Sequence, residues 1–411
     1  MNFITKFFIR NSSIVPVIMF HSVGLCDKNW PISHLSEPLD LFEEKIALLK
    51  KLGYHFVFWS ELYEYMKGNK KLNNPSIMLT FDDGYLDNWV LVFPILKKYE
   101  IKATIFVVPE FVDPSDKLRP SLEDVWNGKI KYSDLKVAGF LNWNEMREME
   151  KSGLVDIQSH TLTHTWYFCG PQIIDFCLDV NKKNYPWIAW NINPDIKPFY
   201  LTYDYTKEIP TGMPVYKNAR ALGCKRFFPP EAMIKDMIKY AKEKIDIIKD
   251  KQMLKNDLYK YHNKLIQSYK DQLKVETDEE YKKRIYWELK ESKRIIEDEL
   301  NKKVDFVCWP GGVYNSTVIS IAKEVGYKAW TLSSKDKSEY RNKSGANPSQ
   351  IKRVGSFAKY HFVGNKSISY AGKWYFICGI ERHKGSKVYK WLGRLVAISG
   401  IIKTYLRKLK F

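Results

Sequence analysis

The sequence predicts an α/β fold built on a parallel sheet, open or rolled into a barrel. Three observations carry that expectation. Short apolar runs recur, each suited to a strand buried on both faces. Segments with helical spacing separate them, and polar residues capable of chemistry follow directly after two of the runs. At 411 residues the chain exceeds one ordinary domain, so one large domain with additions is expected. Hydrophobic residues at 45% and charged residues at 27% exclude wholesale disorder.

The elements follow in order. Residues 14–23, Ile-Val-Pro-Val-Ile-Met-Phe-His-Ser-Val, read as a first buried strand. Phe42 to Gly53 has helical spacing through Phe42, Ile46, Leu48 and Leu49 and stops at a glycine. Ser76–Phe81 and Ala103–Val108 are the next strands, with a helix over Trp89–Tyr99 between them. Asn144–Lys151 is a helix closed by Ser152-Gly153, and Val155–Ser159 is again a strand. After His164 the rhythm breaks. From Trp166 to Pro230 the chain is rich in Pro, Asn and aromatics and reads as a functional lid or insertion, because a structureless loop of that length is uncommon in a compact domain. Residues 231–300 are charged and helical. Their last helix opens on a capping box, Thr277 and Glu280, and turns Tyr281, Ile285, Leu289, Ile296 and Leu300 inward. Val304–Cys308 resumes the strands, followed by the turn Pro310-Gly311-Gly312, a helix over Ser316–Val325 and a strand near Lys328–Leu332. The expected organisation is residues 14–164 and 277–362 as two parts of one domain, 165–276 as an insertion, and 363–411 as a tail.

A net charge of +19 predicts an anionic neighbour, and aromatics at 15% could stack on bases, sugars or lipid headgroups. The charge concentrates in the tail and the helical insertion instead of interleaving with aromatics, so no nucleic acid is expected, although a nucleic-acid-binding protein stays as an alternative class. The 6 cysteines are dispersed, with no CxxC pair, and read as free thiols of a reducing compartment. Met1–Ser12 has no uninterrupted apolar stretch before a small-residue cleavage site. No apolar run approaches the roughly 20 residues that span a bilayer. The expectation is a cytoplasmic protein, peripheral at the inner face of the membrane. Its tail supports that: from Arg382 to Phe411 there are 9 Lys or Arg and no acidic residue, with Trp391, Leu392, Leu395, Val396, Ile398, Ile402, Tyr405, Leu406 and Leu409 mostly on one helical face. That is the profile of an interfacial helix on an anionic membrane surface, against the alternative of a terminal helix packed on the protein's own core.

Two motifs carry chemistry. In Thr80-Phe81-Asp82-Asp83-Gly84 adjacent carboxylates end a strand, and the glycine lets the chain turn. Crowded carboxylates raise each other's pKa unless a cation compensates. In His160-Thr161-Leu162-Thr163-His164 the i, i+4 spacing would set both imidazoles on one side of a helix. Two histidines and one carboxylate form a three-ligand set that leaves positions on a divalent metal open for water and substrate. Each motif alone is also the pattern of a polar turn or an exposed helix face. Both follow apolar strands, however, and the strand C-termini of a parallel barrel share one face, so the motifs would converge.

With these residues in place the sequence resembles the polysaccharide deacetylases, the NodB-homology carbohydrate esterases. Thr80–Gly84 and His160–His164 match that family's first two motifs. Val15–Val23 is similar to its first strand, and Phe42 to Tyr54 to the helix that follows. The resemblance covers roughly residues 14–164 and 277–356 and implies a distorted (β/α) barrel that removes acetyl groups from a glycan with help from a metal. It makes Asp82 the general base and Asp83, His160 and His164 the ligands of a divalent ion, Zn²⁺ first, with Co²⁺ or Ni²⁺ as alternatives. A metal-bound Asp83 is neutralised, which leaves Asp82 free to take a proton from water. The family's third motif reads Arg-x-Pro-Tyr-Gly, where this chain has Cys308-Trp309-Pro310-Gly311-Gly312. The backbone N–H of Gly311 can still serve an oxyanion. The missing arginine leaves Arg353, in Ile351-Lys352-Arg353-Val354, as the replacement to consider, against a plain surface charge. His361 is the candidate general acid, and Tyr85, Trp166 and Trp309 are candidate sugar contacts, with core packing as the alternative for the tryptophans.

The expected function is therefore a metal-dependent deacetylase acting on a sugar of a surface polysaccharide or a lipid-linked oligosaccharide precursor. Loss of the motif arginine keeps a catalytically impaired, glycan-binding barrel as the alternative.

Overall fold

The computed structural model describes residues 12–24, 33–333, 338–356, 360–363, 366–369 and 372–408. The side chains of 360–363, 366–369 and 403–408 lie outside the description, as do Cys26 and the N-terminal stretch 1–11. The chain divides into two compact units. The first comprises Met1–Thr161, Lys293–Gly312 and Tyr327–Phe411; the second comprises Leu162–Ser292 and Val313–Gly326.

The first unit is a curled parallel sheet flanked by helices. Its main strands are β1 (Val17–Phe20), β2 (Ser76–Phe81), β3 (Ala103–Val107), β4 (Val155–Ser159), β5 (Phe306–Val307) and β6 (Ala329–Thr331), and the short segment His55–Phe56 pairs beside the start of β2. The last strand, β7, consists of two short pieces, Gln350–Ile351 and Val354–Gly355. Every position of β2 and β3 is buried, which is why these segments read as continuous apolar runs and not as alternating ones. The register runs Phe20 beside Phe81, Thr80 beside Thr104, Ile105 beside Ile157, and Val307 between Ser159 and Trp330.

Closure falls to β7. Its first piece pairs with β6 through Trp330 and Gln350, and its second pairs with β1 through Ile18 and Val354. The chain changes partner across two residues, Lys352 and Arg353. One kinked strand thus joins the two ends of the sheet into a distorted barrel. Inside, Trp59 lies flat on Phe306 with ring centroids 4.9 Å apart and meets Phe106 edge-on at 5.5 Å. Phe20 stacks on Phe81 at 5.2 Å, and Phe42 meets both edge-on.

The elements of the first unit follow the sequence reading closely, with helices at Leu39–Lys51 and Trp143–Lys151. Asn142 caps the second of these reciprocally with Glu145, at 2.8 and 3.0 Å. The stretch read as a tail, 363–411, contains two helices. Lys373–His383 is a helix of the first unit, with Phe376, Ile380 and Glu381 fully buried.

In the second unit the stretch Trp166–Pro230, read as a lid or insertion without assigned strands, contains a β ladder. Trp166–Phe176 and Pro214–Arg220 form an antiparallel pair with register shifts between Phe168 and Asp175. Gly170 and Pro171 interrupt the first strand's pattern and its partner lies some 40 residues on, so no local signal announced the ladder. Helices Glu231–Ile245 and Lys251–Ser268 follow, and Phe176, Met237, Ala241 and Leu258 share one core with them. Asp278–Leu300 opens on the expected capping box: Thr277 N–H donates to Glu280 Oε2 at 2.9 Å, and Glu280 N–H to Thr277 Oγ1 at 3.2 Å. Its Tyr281, Ile285 and Leu289 are buried, as is Ile296 in the part of the helix that belongs to the first unit.

Candidate active site

The chemistry collects at the C-terminal ends of the barrel strands. Asp82 follows β2, and its N–H donates to Phe20 O at 3.0 Å, one step beyond the strand pairing. The chain then turns through Asp83 (φ 73°) and Gly84 (φ 71°), both in the left-handed region. A Cβ on Gly84 would stand 3.0 Å from Val107 Cγ1, so conformation and space both require glycine there. Asp83 adopts the same conformation with a side chain, a strain that concentrates at functional sites. Asp82 and Asp83 are 3% and 5% exposed.

Arg353 grips Asp82. Its Nη1 donates to Oδ1 at 2.6 Å and its Nη2 to Oδ2 at 2.8 Å, a two-pronged fork. The kink of β7 delivers it: the two residues that cross between partners include the one whose side chain reaches β2. Two further groups face Asp82 Oδ2, the Cys308 thiol at 3.6 Å and His21 Nε2 at 3.7 Å. Burial pushes the Asp82 carboxyl up, but Arg353 and then His21 more than offset it, so the group sits below the usual carboxylate range and is ionised.

His160 follows β4 and continues it by donating its N–H to Val107 O at 2.8 Å. Its Nδ1 lies 2.8 Å from the Cys308 carbonyl oxygen. A carbonyl only accepts, so Nδ1 carries the proton and Nε2 points to Asp83 Oδ1, 3.2 Å away. Burial alone would lower the imidazole pKa; Cys308, Asp83 and Asp82 outweigh it and raise the pKa well above the ordinary value. The donor set fits a divalent ion. An imidazole whose outer nitrogen donates to a backbone carbonyl is the usual setting of a metal-ligating histidine. Two ligands each about 2.0–2.1 Å from a tetrahedral ion stand about 3.3 Å apart, close to the distance between these donors.

His164 is placed differently from what the spacing suggested. Residues 160–165 form a turn, with Thr161 at φ 64° and His164 at φ 48°, so the two imidazoles share no helix face. His164 belongs to the second unit, where its Nδ1 lies 3.2 Å from Arg220 Nη1. The Arg220 guanidinium also covers the Trp166 ring at 4.8 Å.

The remaining residues separate. Gly311 lies in the turn Pro310–Gly312 directly after β5, at φ 60°. Tyr85 and Trp309, read as candidate sugar contacts, are both buried, and Tyr85 stacks on Phe140 at 5.3 Å. His361 lies on Tyr360–Val363, paired with Lys366–Ser369, and its side chain is outside the described residues. Sequence reasoning underrated His21 and Cys308 as neighbours of Asp82. The signal was available, since each directly follows an apolar strand, as Asp82 does.

A family model described as polysaccharide deacetylase matches residues 69–188 and 260–330. Over 121 residues the chain is 35% identical to the poly-β-1,6-N-acetyl-D-glucosamine N-deacetylase of Escherichia coli K12, covering 29% of this chain and 16% of that protein. It is 28% identical over 144 residues to the protein of the same name from Staphylococcus aureus, covering 35% of this chain and 41% of the relative. The chain thus spans less than half the length of these curated relatives. Among solved structures, a de-N-acetylase from Aggregatibacter actinomycetemcomitans aligns with a TM-score of 0.49 at 20% identity, covering 83% of this chain and 94% of that one. The BpsB deacetylase domain from Bordetella bronchiseptica aligns with a TM-score of 0.49 at 18% identity, covering 84% of this chain and 97% of that one.

Proposed function

We propose, from the premise that the chain belongs to the polysaccharide deacetylase family, that it hydrolyses the N-acetyl group of a hexosamine in an acetylated polysaccharide or its lipid-linked precursor. The observation that carries the reading is the pairing of two differently used carboxylates: Asp82 forked by Arg353, and Asp83 facing His160. Adjacent acids with separate partners can take separate roles, one accepting a proton and the other holding a cation.

Asp83 and His160 would hold a divalent ion, with His164 as the third ligand that the motif resemblance implies, and Zn²⁺ suits a carboxylate and two imidazoles. Such an ion supplies Lewis-acid polarisation of the acetyl carbonyl and makes water more acidic. Asp82, kept ionised by Arg353, accepts the proton of the attacking water. Arg353 is a positioning residue: it reaches the carboxylate and not the substrate. The N–H of Gly311 is the protein's donor to the developing oxyanion. The departing amine needs a proton, and His361 is assigned that transfer, with His21 as the competing donor.

The test is release of acetate, with matching appearance of free amine, from poly-β-1,6-N-acetylglucosamine oligomers. It uses the full chain after chelation and after readdition of Zn²⁺, Co²⁺ or Ni²⁺. Asp82→Asn should keep the metal and lose turnover by about 10²-fold or more, while His160→Ala should lose both. Oligomer binding without acetate release under every metal would instead favour the glycan-binding barrel. The His21→Ala and His361→Ala variants decide the acid: the one with the larger loss of kcat at unchanged KM supplies the proton.

A further inference from the structure

We propose that the helix Lys387–Lys408 lies on an anionic lipid surface and carries the first unit to it. The proposal does not rest on the reaction. Among the described residues no helix is long and apolar enough to cross a membrane, so an apolar face on this one calls for another explanation.

The helix packs on its predecessor with its small residues. Gly393 meets Lys373–His383 so closely that a Cβ there would lie 3.3 Å from Cys378 Cβ. Gly393 is buried, and Tyr389, Val396, Ala397 and Gly400 are half-buried on the same side. The bulky apolar side chains point the other way. Trp391 is 66% exposed, Leu395 63% and Ile398 54%, with Val388 and Ile402 on the same stripe. A packed terminal helix would present these residues to its own core. Here the inward side is already occupied and the outward stripe runs for about 20 Å.

Charge chooses the occupant. Lys387, Lys390 and Arg394 flank the stripe, the Arg394 guanidinium lies over the Trp391 ring at 4.9 Å, and no acidic residue follows Glu381. Such long cationic side chains can reach phosphates while their stems and the apolar stripe sit at the acyl boundary. A second copy of the same face would set these cations against each other with no carboxylate on the helix to neutralise them.

Sedimentation of the full chain with phosphatidylcholine vesicles, with and without one quarter phosphatidylglycerol, tests the proposal. Binding to the anionic vesicles should be at least 10-fold stronger at low salt and should fall as salt rises. Leu395→Glu/Ile398→Glu should lower it at least 10-fold. Lys387→Glu/Lys390→Glu/Arg394→Glu should erase the preference for anionic lipid. Unchanged thermal melts tie these losses to the helix face, and Leu395→Ser/Ile398→Ser replaces the glutamate pair if that pair unfolds. Equal sedimentation with both vesicle types, or vesicle binding by the apolar variant at the full-chain level, overturns the proposal. So does a dimer in buffer that Leu395→Glu/Ile398→Glu dissolves while vesicles bind nothing.

Discussion

A fork of two hydrogen bonds from Arg353 to Asp82 ties the last barrel strand to the carboxylate proposed as the proton acceptor. Because an ammonium cannot reproduce that fork, Arg353→Lys should recover only part of the activity that Arg353→Ala loses. The expected loss for alanine is about 10²-fold in kcat or more with KM little changed, measured by acetate release. A kcat within about twofold of the parent would make Arg353 a purely structural cation. Asp87 behaves differently. It is fully buried, accepts from Ser22 Oγ at 2.5 Å and from Val23 N–H at 3.1 Å, and burial raises its pKa to about 7. A carboxyl whose folded pKa is raised above its unfolded value adds stability at low pH that is lost as pH climbs toward the folded pKa. Between about pH 4 and 7 the parent should therefore lose up to about 1.4 kcal/mol per pH unit relative to Asp87→Asn. Urea melts of both proteins across that range check the slope; parallel curves would remove Asp87 as the source.

At the scale of elements, the helix Leu39–Lys51 is clamped by a buried charge. Lys45, fully buried, pairs with Glu37 at 2.5 Å, donates to Ser356 O at 2.9 Å just past β7, and lies over the Phe376 ring at 4.9 Å. One ammonium thus joins a helix, the closing strand and the helix Lys373–His383. Lys45→Met leaves Glu37 buried without its cation and should cost about 3–5 kcal/mol. Glu37→Leu/Lys45→Met should cost less than Lys45→Met alone, because no charge is then stranded. Chemical denaturation of the three proteins measures this coupling. Elements also show what local pattern could convey. Strands β2 and β4 and the helix Ser316–Val325 lie where their apolar patterns place them. The pair Trp166–Phe176 and Pro214–Arg220 did not announce itself, because its ladder bonds join segments distant in sequence.

The whole chain is wound so that the first unit draws on three separate stretches, and β7 arrives last to close its sheet. A chain ending at Gly345 would leave the outer edges of β1 and β6 unpaired and would lack both Arg353 and the helix Lys373–His383. It should lose the cooperative unfolding transition of the first unit, whereas a chain ending at Ser386 should retain one. Near-UV circular dichroism against urea distinguishes them. A cooperative transition in the shorter chain would show that closure is dispensable.

The helix Trp59–Lys67 between β1 and β2 was not legible in the sequence alone, whereas the strands β1 to β6, the helices Leu39–Lys51 and Trp143–Lys151, the Asp82-Asp83-Gly84 turn and His160 were. Each rests on a local rule: an apolar run long enough to bury, a glycine where the chain must turn, a polar residue just past a strand. The tertiary structure decided how those residues are used. The i, i+4 spacing of His160 and His164 suggested a helix, yet left-handed residues make the segment a turn. Tyr85 and Trp309 lie beside the motifs in sequence, yet the core takes both rings. The sequence raised Arg353 only as one of two readings, since nothing in Ile351–Val354 reveals which strands it joins. Its reach to Asp82 depends on β7 exchanging β6 for β1 across Lys352 and Arg353, and β1 lies hundreds of residues away in sequence. Side-chain periodicity determines which face of a strand is buried, but only the closed sheet determines which side chains meet at its rim.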